Sequence, residues 1–148
     1  MADPVKIIVL EGDETGQELL DAALRVLTEM DVPEHWIRAI ASHADFLGVS
    51  RDSLMEKTLY AVDELSGFIA ACAYVRPEGI RGLTPKSVKK KLKQPSFAAA
   101  VNRDDVRHGA EELGVDFDEH VAFVIAALNE RADELGVVDK DPTHPAPA

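Results

Sequence analysis

The chain has 148 residues, 46% of them hydrophobic, and this length and composition predict one globular domain of ordinary size. Its formal net charge of −11 argues against general nucleic-acid binding, which needs clustered Lys and Arg on a favourable background. No apolar run approaches the roughly 20 residues of a membrane helix, and the sequence starts without the pattern of a signal peptide, so we expect a cytoplasmic protein with no membrane partner.

The N-terminal stretch predicts one β-strand followed by one helix. Residues 5–10 form an apolar run rich in β-branched side chains, which is typical of a strand covered on both faces. A polar turn follows at residues 11–16, and residues 15–30 then place apolar side chains at spacings of three and four. We therefore expect a strand, a turn and an amphipathic helix in this order.

Two helices are predicted in the centre of the chain. The first covers residues 33–47 and stops at Gly48, which tolerates the positive φ of a helix end. The second covers residues 51–74, and Ser50 is placed to cap it. The positions expected to be buried are Trp36, Ile37, Ile40, Ala44 and Leu47 in the first helix and Met55, Leu59, Val62, Leu65, Ile69 and Ala73 in the second.

Four further helices are predicted in the remainder of the chain. Thr84 followed by proline is typical of a capping residue before the first helical position, and it opens a basic helix that ends near residue 93. Ser96 and Asn102 are each placed to cap a short helix. Asp116 opens the last helix, which we expect to run to about residue 135.

These elements predict a mainly α-helical single domain over residues 1–137, completed by the strand and helix at its N-terminus. Residues 138–148 are polar and rich in proline, so we expect a disordered tail. The one cysteine, Cys72, lies among alanines and is expected to be a small buried hydrophobic residue.

Four segments in order carry a resemblance to a known enzyme superfamily: IASHAD at residues 40–45, EKTLYAVDELSG at 56–67, SVKKK at 87–91 and SFAAAVNR at 96–103. Residues 37–128 as a whole resemble the C-terminal half of a small metal-dependent phosphohydrolase of the HD superfamily. The resemblance implies a helical fold. In such enzymes an early His, a His-Asp dyad and a late Asp hold metal ions that activate water against a phosphate ester.

The resemblance puts Asp63 in the place of the late Asp and His43 in that of an additional metal-site histidine of some members. No His-Asp dipeptide occurs in the sequence. Because a metal that activates water needs typically three or more protein ligands, two are too few. We therefore expect His43 and Asp63 to be vestigial metal-site residues that make hydrogen bonds at a helix interface, and we expect no cofactor. The alternative is a divalent metal held with further ligands or shared between two chains.

The signature EGDETGQE at residues 11–18 carries a second resemblance. Residues 5–27 resemble the opening strand and helix of isocitrate and isopropylmalate dehydrogenases. In those enzymes the residues that hold the hydroxyacid and its metal come from far downstream, whereas the resemblance here ends near residue 27. Gly12 and Gly16 also lack the spacing of a Rossmann phosphate loop. We therefore expect neither dehydrogenase activity nor tight binding of NAD or NADP.

One basic segment interrupts the acidic sequence. Lys86, Lys89, Lys90 and Lys93 recur at spacings of three and four, which places them on one face of the predicted helix. Such a face is either simply solvated or a site for an anionic ligand, including the acidic surface of a second subunit.

The strand-like run suggests how the chain associates. A lone strand leaves backbone N–H and C=O groups without ladder partners, and a second copy supplies them with two-fold symmetry. The chain is thus expected to be a non-catalytic, fusion-like protein that forms a homodimer. The alternatives are a metal-dependent phosphohydrolase with an altered site and an anion-binding module. The predicted interface residues are Val5, Ile7, Ile8, Val9 and Leu10.

Overall fold

A computed structural model of the chain describes residues 16–138, which are mainly helical. The predicted strand at residues 5–10 and the predicted tail after residue 138 lie outside this range. The chain divides into two compact units at residue 59, and the prediction of one domain stays a prediction. Within the described range, no helix combines the length and apolar character required to cross a membrane.

The first unit contains two packed helices and the start of a third. Helix α1 covers Gly16–Glu29 and packs against α2, which covers Glu34–Ser42. A short 3-10 helix at Asp45–Leu47 follows and ends at Gly48 in the left-handed conformation. The helix predicted over residues 33–47 is therefore shorter than expected.

The early end of α2 changes which side chains it buries. Its buried residues are Ala39, Ala41 and Ser42, whereas Trp36 is 52% exposed. The predicted stripe required the helix to continue through residue 47, and that continuation is missing. The prediction that Trp36 is buried is therefore wrong.

Helix α3 covers Leu54–Tyr74 and begins at a capping box. The hydroxyl of Ser53 accepts a hydrogen bond from the Glu56 amide at 3.3 Å, and the Glu56 carboxylate accepts one from the Ser53 amide at 2.7 Å. The predicted cap, Ser50, instead donates its hydroxyl proton to the Asp52 carboxylate. The prediction for Ser50 is wrong because the helix starts three residues later than expected.

The second unit contains the rest of α3 and three further helices. They are α4 over Pro85–Leu92, α5 over Arg103–Leu113 and α6 over Phe117–Glu130, and α6 packs against both α4 and α5. Helix α6 stops short of residue 135, and turns complete the predicted length. The largest fully buried side chains of the core are Leu65, Phe68, Ile69, Ile80, Val88, Val106 and Val121.

Three of the predicted caps are confirmed. The Thr84 hydroxyl accepts a hydrogen bond from the Ser87 amide at the start of α4. The side chain of Asn102 accepts from two amides at the start of α5, and that of Asp116 does the same at the start of α6. Each cap satisfies backbone donors that have no partner inside the helix.

The segment between α4 and α5 consists of turns, so the short helix predicted after Ser96 is wrong. Arg103 holds these turns, because its guanidinium donates to the carbonyl oxygens of Phe97 and Ala98 and lies over the ring of Phe68. The Ala98 carbonyl oxygen also accepts the Val101 amide at 3.1 Å, a turn bond that spans three residues. Ala98 has a positive φ of 44°, which a regular α-helix does not contain.

Cys72 lies in the core of the second unit, as predicted. It is 1% exposed, and burial raises the pKa of its thiol to about 11. At neutral pH the side chain is a protonated, apolar packing element.

Candidate functional site

Helix α4 buries one apolar face and presents its lysines on the remaining faces. Val88 and Leu92, which are spaced by one turn, are buried in the core of the second unit. This anchors the helix and leaves its other faces to the basic side chains. Lys89 is half-buried, whereas Lys86 and Lys90 are exposed.

Two of these lysines share a concave surface with an arginine from another helix. Lys89 and Lys93 come from α4 and the residue after it, and Arg107 comes from α5. The cavity they line has a volume of about 370 Å³. We call this concave surface around Lys89, Lys93 and Arg107 the basic groove.

The basic groove also has an apolar lining. Leu92 and Phe117 extend from the core of the second unit, and Val115 is 42% exposed. Val115 is placed there by the end of α5, where Gly114 has a φ of 76° and the Val115 amide donates to the Ala110 carbonyl oxygen at 3.1 Å. This left-handed helix end turns the chain back toward the groove.

Two acids, Glu111 and Asp116, complete the polar lining. The Asp116 carboxylate accepts hydrogen bonds from the amides of Asp118 and Glu119 at 2.9 and 3.0 Å, so the N-terminus of α6 compensates its charge. Three bases and two acids line the groove, and Asp118 adds a third acid 2.6 Å from Nζ of Lys89, so the local formal charge is balanced on a chain of net charge −11.

The bases of the groove differ in their existing partners. Lys89 forms an ion pair of 2.6 Å with Asp118, and both side chains are about half exposed. Arg107 lies 3.6 Å from Asp104 and donates to the Arg103 carbonyl oxygen. Lys93 makes no ion pair within residues 16–138, so it presents the least compensated charge of the three.

The structure separates the four lysines predicted to bind anions. Lys89 and Lys93 line the basic groove, whereas Lys86 and Lys90 do not. Arg107 was missed by the sequence argument because it lies on a different helix, among acids that suggest ordinary surface ion pairs. No local signal in the sequence identifies it.

His43 and Asp63 belong to different units, and each has local hydrogen bonds. Nδ1 of His43 faces the Ile40 carbonyl oxygen, which only accepts, so this nitrogen carries the proton. Asp63 lies exposed on α3, so its expected place at a helix interface is wrong. Its backbone oxygen accepts the Ser66 hydroxyl at 2.9 Å. No group of three or more His, Cys, Asp or Glu residues suited to a metal is present among the described residues.

The predicted interface residues at positions 5 and 7–10 lie outside the described range, as does most of the dehydrogenase-like turn at residues 11–16. Comparison of the chain with protein-family models, with curated proteins and with solved structures gave no match. The basic groove is therefore characterised by its own geometry and charge.

Proposed function

We propose that this chain is a non-catalytic, cytoplasmic binding protein that holds a small anion in the basic groove. The observation that carries the proposal is the convergence of Lys89, Lys93 and Arg107 on one cavity of about 370 Å³. Concave sites of this kind, with an apolar lining and a few convergent polar groups, are the usual form of ligand sites.

The charge distribution supports an anionic ligand. Three cations converge on one cavity in a chain of net charge −11, and Lys93 makes no ion pair within residues 16–138, so it can pair with a ligand anion. An acidic body also repels anions elsewhere on its surface. Binding of a small anion is therefore directed to this groove.

The ion pair between Lys89 and Asp118 does not prevent binding. Both groups are about half exposed, and a pair of this kind contributes about 0–1 kcal/mol because solvent screens it. A ligand anion that replaces Asp118 next to Lys89 therefore loses little. Asp118 then returns to solvent at the N-terminus of α6, where a negative charge is favourable.

In this proposal the resemblance to HD phosphohydrolases concerns the helical scaffold, and His43 and Asp63 are vestigial positions with local hydrogen bonds. The homodimer through residues 5–10 is a separate proposal, because the basic groove is built entirely from residues 89–117. Anion binding does not depend on it.

The test is a titration of the isotopically labelled protein with acetate and with inorganic phosphate, followed by amide chemical shifts. We expect saturable shifts for residues that line the groove. Lys93→Gln should weaken binding about threefold to tenfold, since a hydrogen bond to a charged group is worth about 1.5–3 kcal/mol before solvent screening.

The matched control is Lys90→Gln, which makes the same charge change one helical turn away, outside the groove. It should leave the affinity within about twofold of that of the unmodified chain, because Lys90 is exposed and does not line the groove, so water weakens its attraction for a bound anion. Equal losses from both variants would indicate a diffuse charge effect and would contradict a site at the groove.

A further inference from the structure

The ligand class follows from the side chains that accompany the bases in the groove, and this inference rests on the proposed function. Leu92, Val115 and Phe117 place apolar surface beside Lys93 and Arg107. Val115 is held 42% exposed by a helix end that directs it toward the cavity. A purely inorganic anion would leave this apolar surface in contact with water.

The acids in the groove limit the charge of the ligand. Glu111 and Asp116 lie in the same lining as the three bases, and Asp118 pairs with Lys89 at 2.6 Å, so Lys93 is the one base of the groove without an ion pair within residues 16–138. A monoanion matches the charge of Lys93. A dianion such as a phosphate monoester would bring a second negative charge that no further uncompensated base of the groove balances.

The volume limits the size of the ligand. A cavity of about 370 Å³ lies at the small end of the range of about 300–1,000 Å³ typical of ligand sites. The ligand is therefore smaller than a dinucleotide or a macromolecular segment of several residues.

From these three limits we infer that the basic groove binds a small organic monoanion with an apolar body, such as a medium-chain carboxylate. The carboxylate lies between Lys93 and Arg107, and the hydrocarbon part lies on Leu92, Val115 and Phe117. Both halves of the molecule then contact groove surface of matching chemistry.

The experiment compares the dissociation constants of acetate, butanoate, hexanoate, octanoate and inorganic phosphate by calorimetry and amide shifts on the full chain. We expect affinity to rise about twofold to fourfold per added methylene that contacts the groove, the upper figure corresponding to full burial of the group. Octanoate should bind at least tenfold more tightly than acetate or phosphate.

Val115→Thr separates the apolar contribution from the charge, because it replaces a methyl group by a hydroxyl at nearly constant volume on a half-exposed position. It should weaken octanoate about twofold to fourfold and leave acetate unchanged. Lys93→Gln should weaken acetate and octanoate by the same factor.

The outcomes distinguish this inference from the proposed function. Acetate and octanoate of equal affinity, or phosphate bound more tightly than octanoate, would overturn the inference while anion binding stands. If none of the five anions binds, the proposed function fails, and the inference fails with it. Octanoate affinity that falls as protein concentration and sedimentation coefficient rise would mean that a second copy occupies the groove, which also overturns the inference.

Discussion

Glu56 illustrates how a single charged residue organises the first unit. It is 3% exposed, and its carboxylate accepts the amide protons of Ser53 and Asp52 at 2.7 Å and lies 2.8 Å from Nε of Arg38. The hydrogen bond from the Ser53 amide is the main cause that lowers the pKa of this carboxyl, against the opposing effect of burial. The charged form is therefore the one that the fold stabilises.

The pH dependence of stability follows from the lowered pKa of Glu56. Because the folded pKa lies below the ordinary value of 4.5, the stabilisation is complete above pH 4.5 and is lost as the pH falls through the folded pKa. Glu56→Gln should therefore lower the unfolding midpoint at pH 7, and its deficit should shrink as the pH falls from 5 to 3. Calorimetry over this pH range measures both effects.

The control for this prediction is Glu29→Gln, which makes the same change at an exposed position in the first unit. It should give a small and nearly constant difference across the same pH range. A deficit of Glu56→Gln that does not change with pH would mean that shape rather than charge accounts for its contribution.

Helix-capping residues were predictable from the sequence where one local motif determines the cap. Thr84, Asn102 and Asp116 cap their helices as predicted, because a capping side chain needs only backbone amides two or three residues away. The prediction for Ser50 is wrong because Ser53 caps α3 instead, with Glu56 as its reciprocal partner. Which serine caps the helix depends on the residue at which the helix begins.

Among the helices of the second unit, α3 and α5 make a close backbone approach. A Cβ atom at Gly109 would lie 2.7 Å from Cα of Ala61. The contacted atom belongs to the backbone, so it cannot move as a flexible side chain would. Gly109 therefore sets the distance between these two helices, and spacing of apolar residues did not predict this contact.

Two glycine substitutions test this contact. Gly109→Ala should destabilise the chain by about 1–3 kcal/mol through overpacking, despite the gain of about 1 kcal/mol in helix propensity. The matched control is Gly67→Ala on α3, where an added Cβ meets no atom within 4 Å. It should stabilise the chain by about 0.5–1 kcal/mol.

Urea unfolding measures the free energy of unfolding of both variants, provided that their m-values agree with that of the unmodified chain. Opposite signs for the two variants are the expected result, since the same chemical change is made in two helix interiors. A Gly109→Ala variant as stable as Gly67→Ala would show that α3 and α5 do not approach this closely in solution.

The helices and three of their N-terminal caps were predictable, whereas the bounds of α2, α3 and α6 and the packing were not. Regular spacing of apolar residues predicted α3 and α6. The expected burial of Met55 is wrong, because this residue lies on the first turn of α3 and is 46% exposed. The region after Ser96 was predicted as a helix because Ser96 is placed as a capping residue. The guanidinium of Arg103 holds its carbonyl groups in turns, and that side chain lies on the next helix.

In the whole molecule, the basic groove shows which features of a site can be predicted from residue spacing along one helix. Helical spacing predicted that Lys89 and Lys93 share a face. It did not predict Arg107 or Val115, because packing of α5 and α6 near α4 brings them to the same cavity. Six of the nine lining residues come from α5, α6 and the turn between them, so most of the basic groove is a property of tertiary structure.

Self-association is the remaining prediction at this scale, and it rests on the sequence of residues 5–10. An apolar, β-branched run that forms a strand needs ladder partners, since each unsatisfied buried backbone group costs about 1–3 kcal/mol. Antiparallel pairing with the same run of a second copy satisfies both chains through one two-fold axis.

We therefore expect a homodimer at micromolar concentration by analytical ultracentrifugation. Ile8→Pro should shift it to monomer because proline removes a backbone donor, whereas Ile8→Thr keeps the donor and the β-branch and should remain dimeric. A monomeric unmodified chain, or a proline variant that stays fully dimeric, would rule out association through this run.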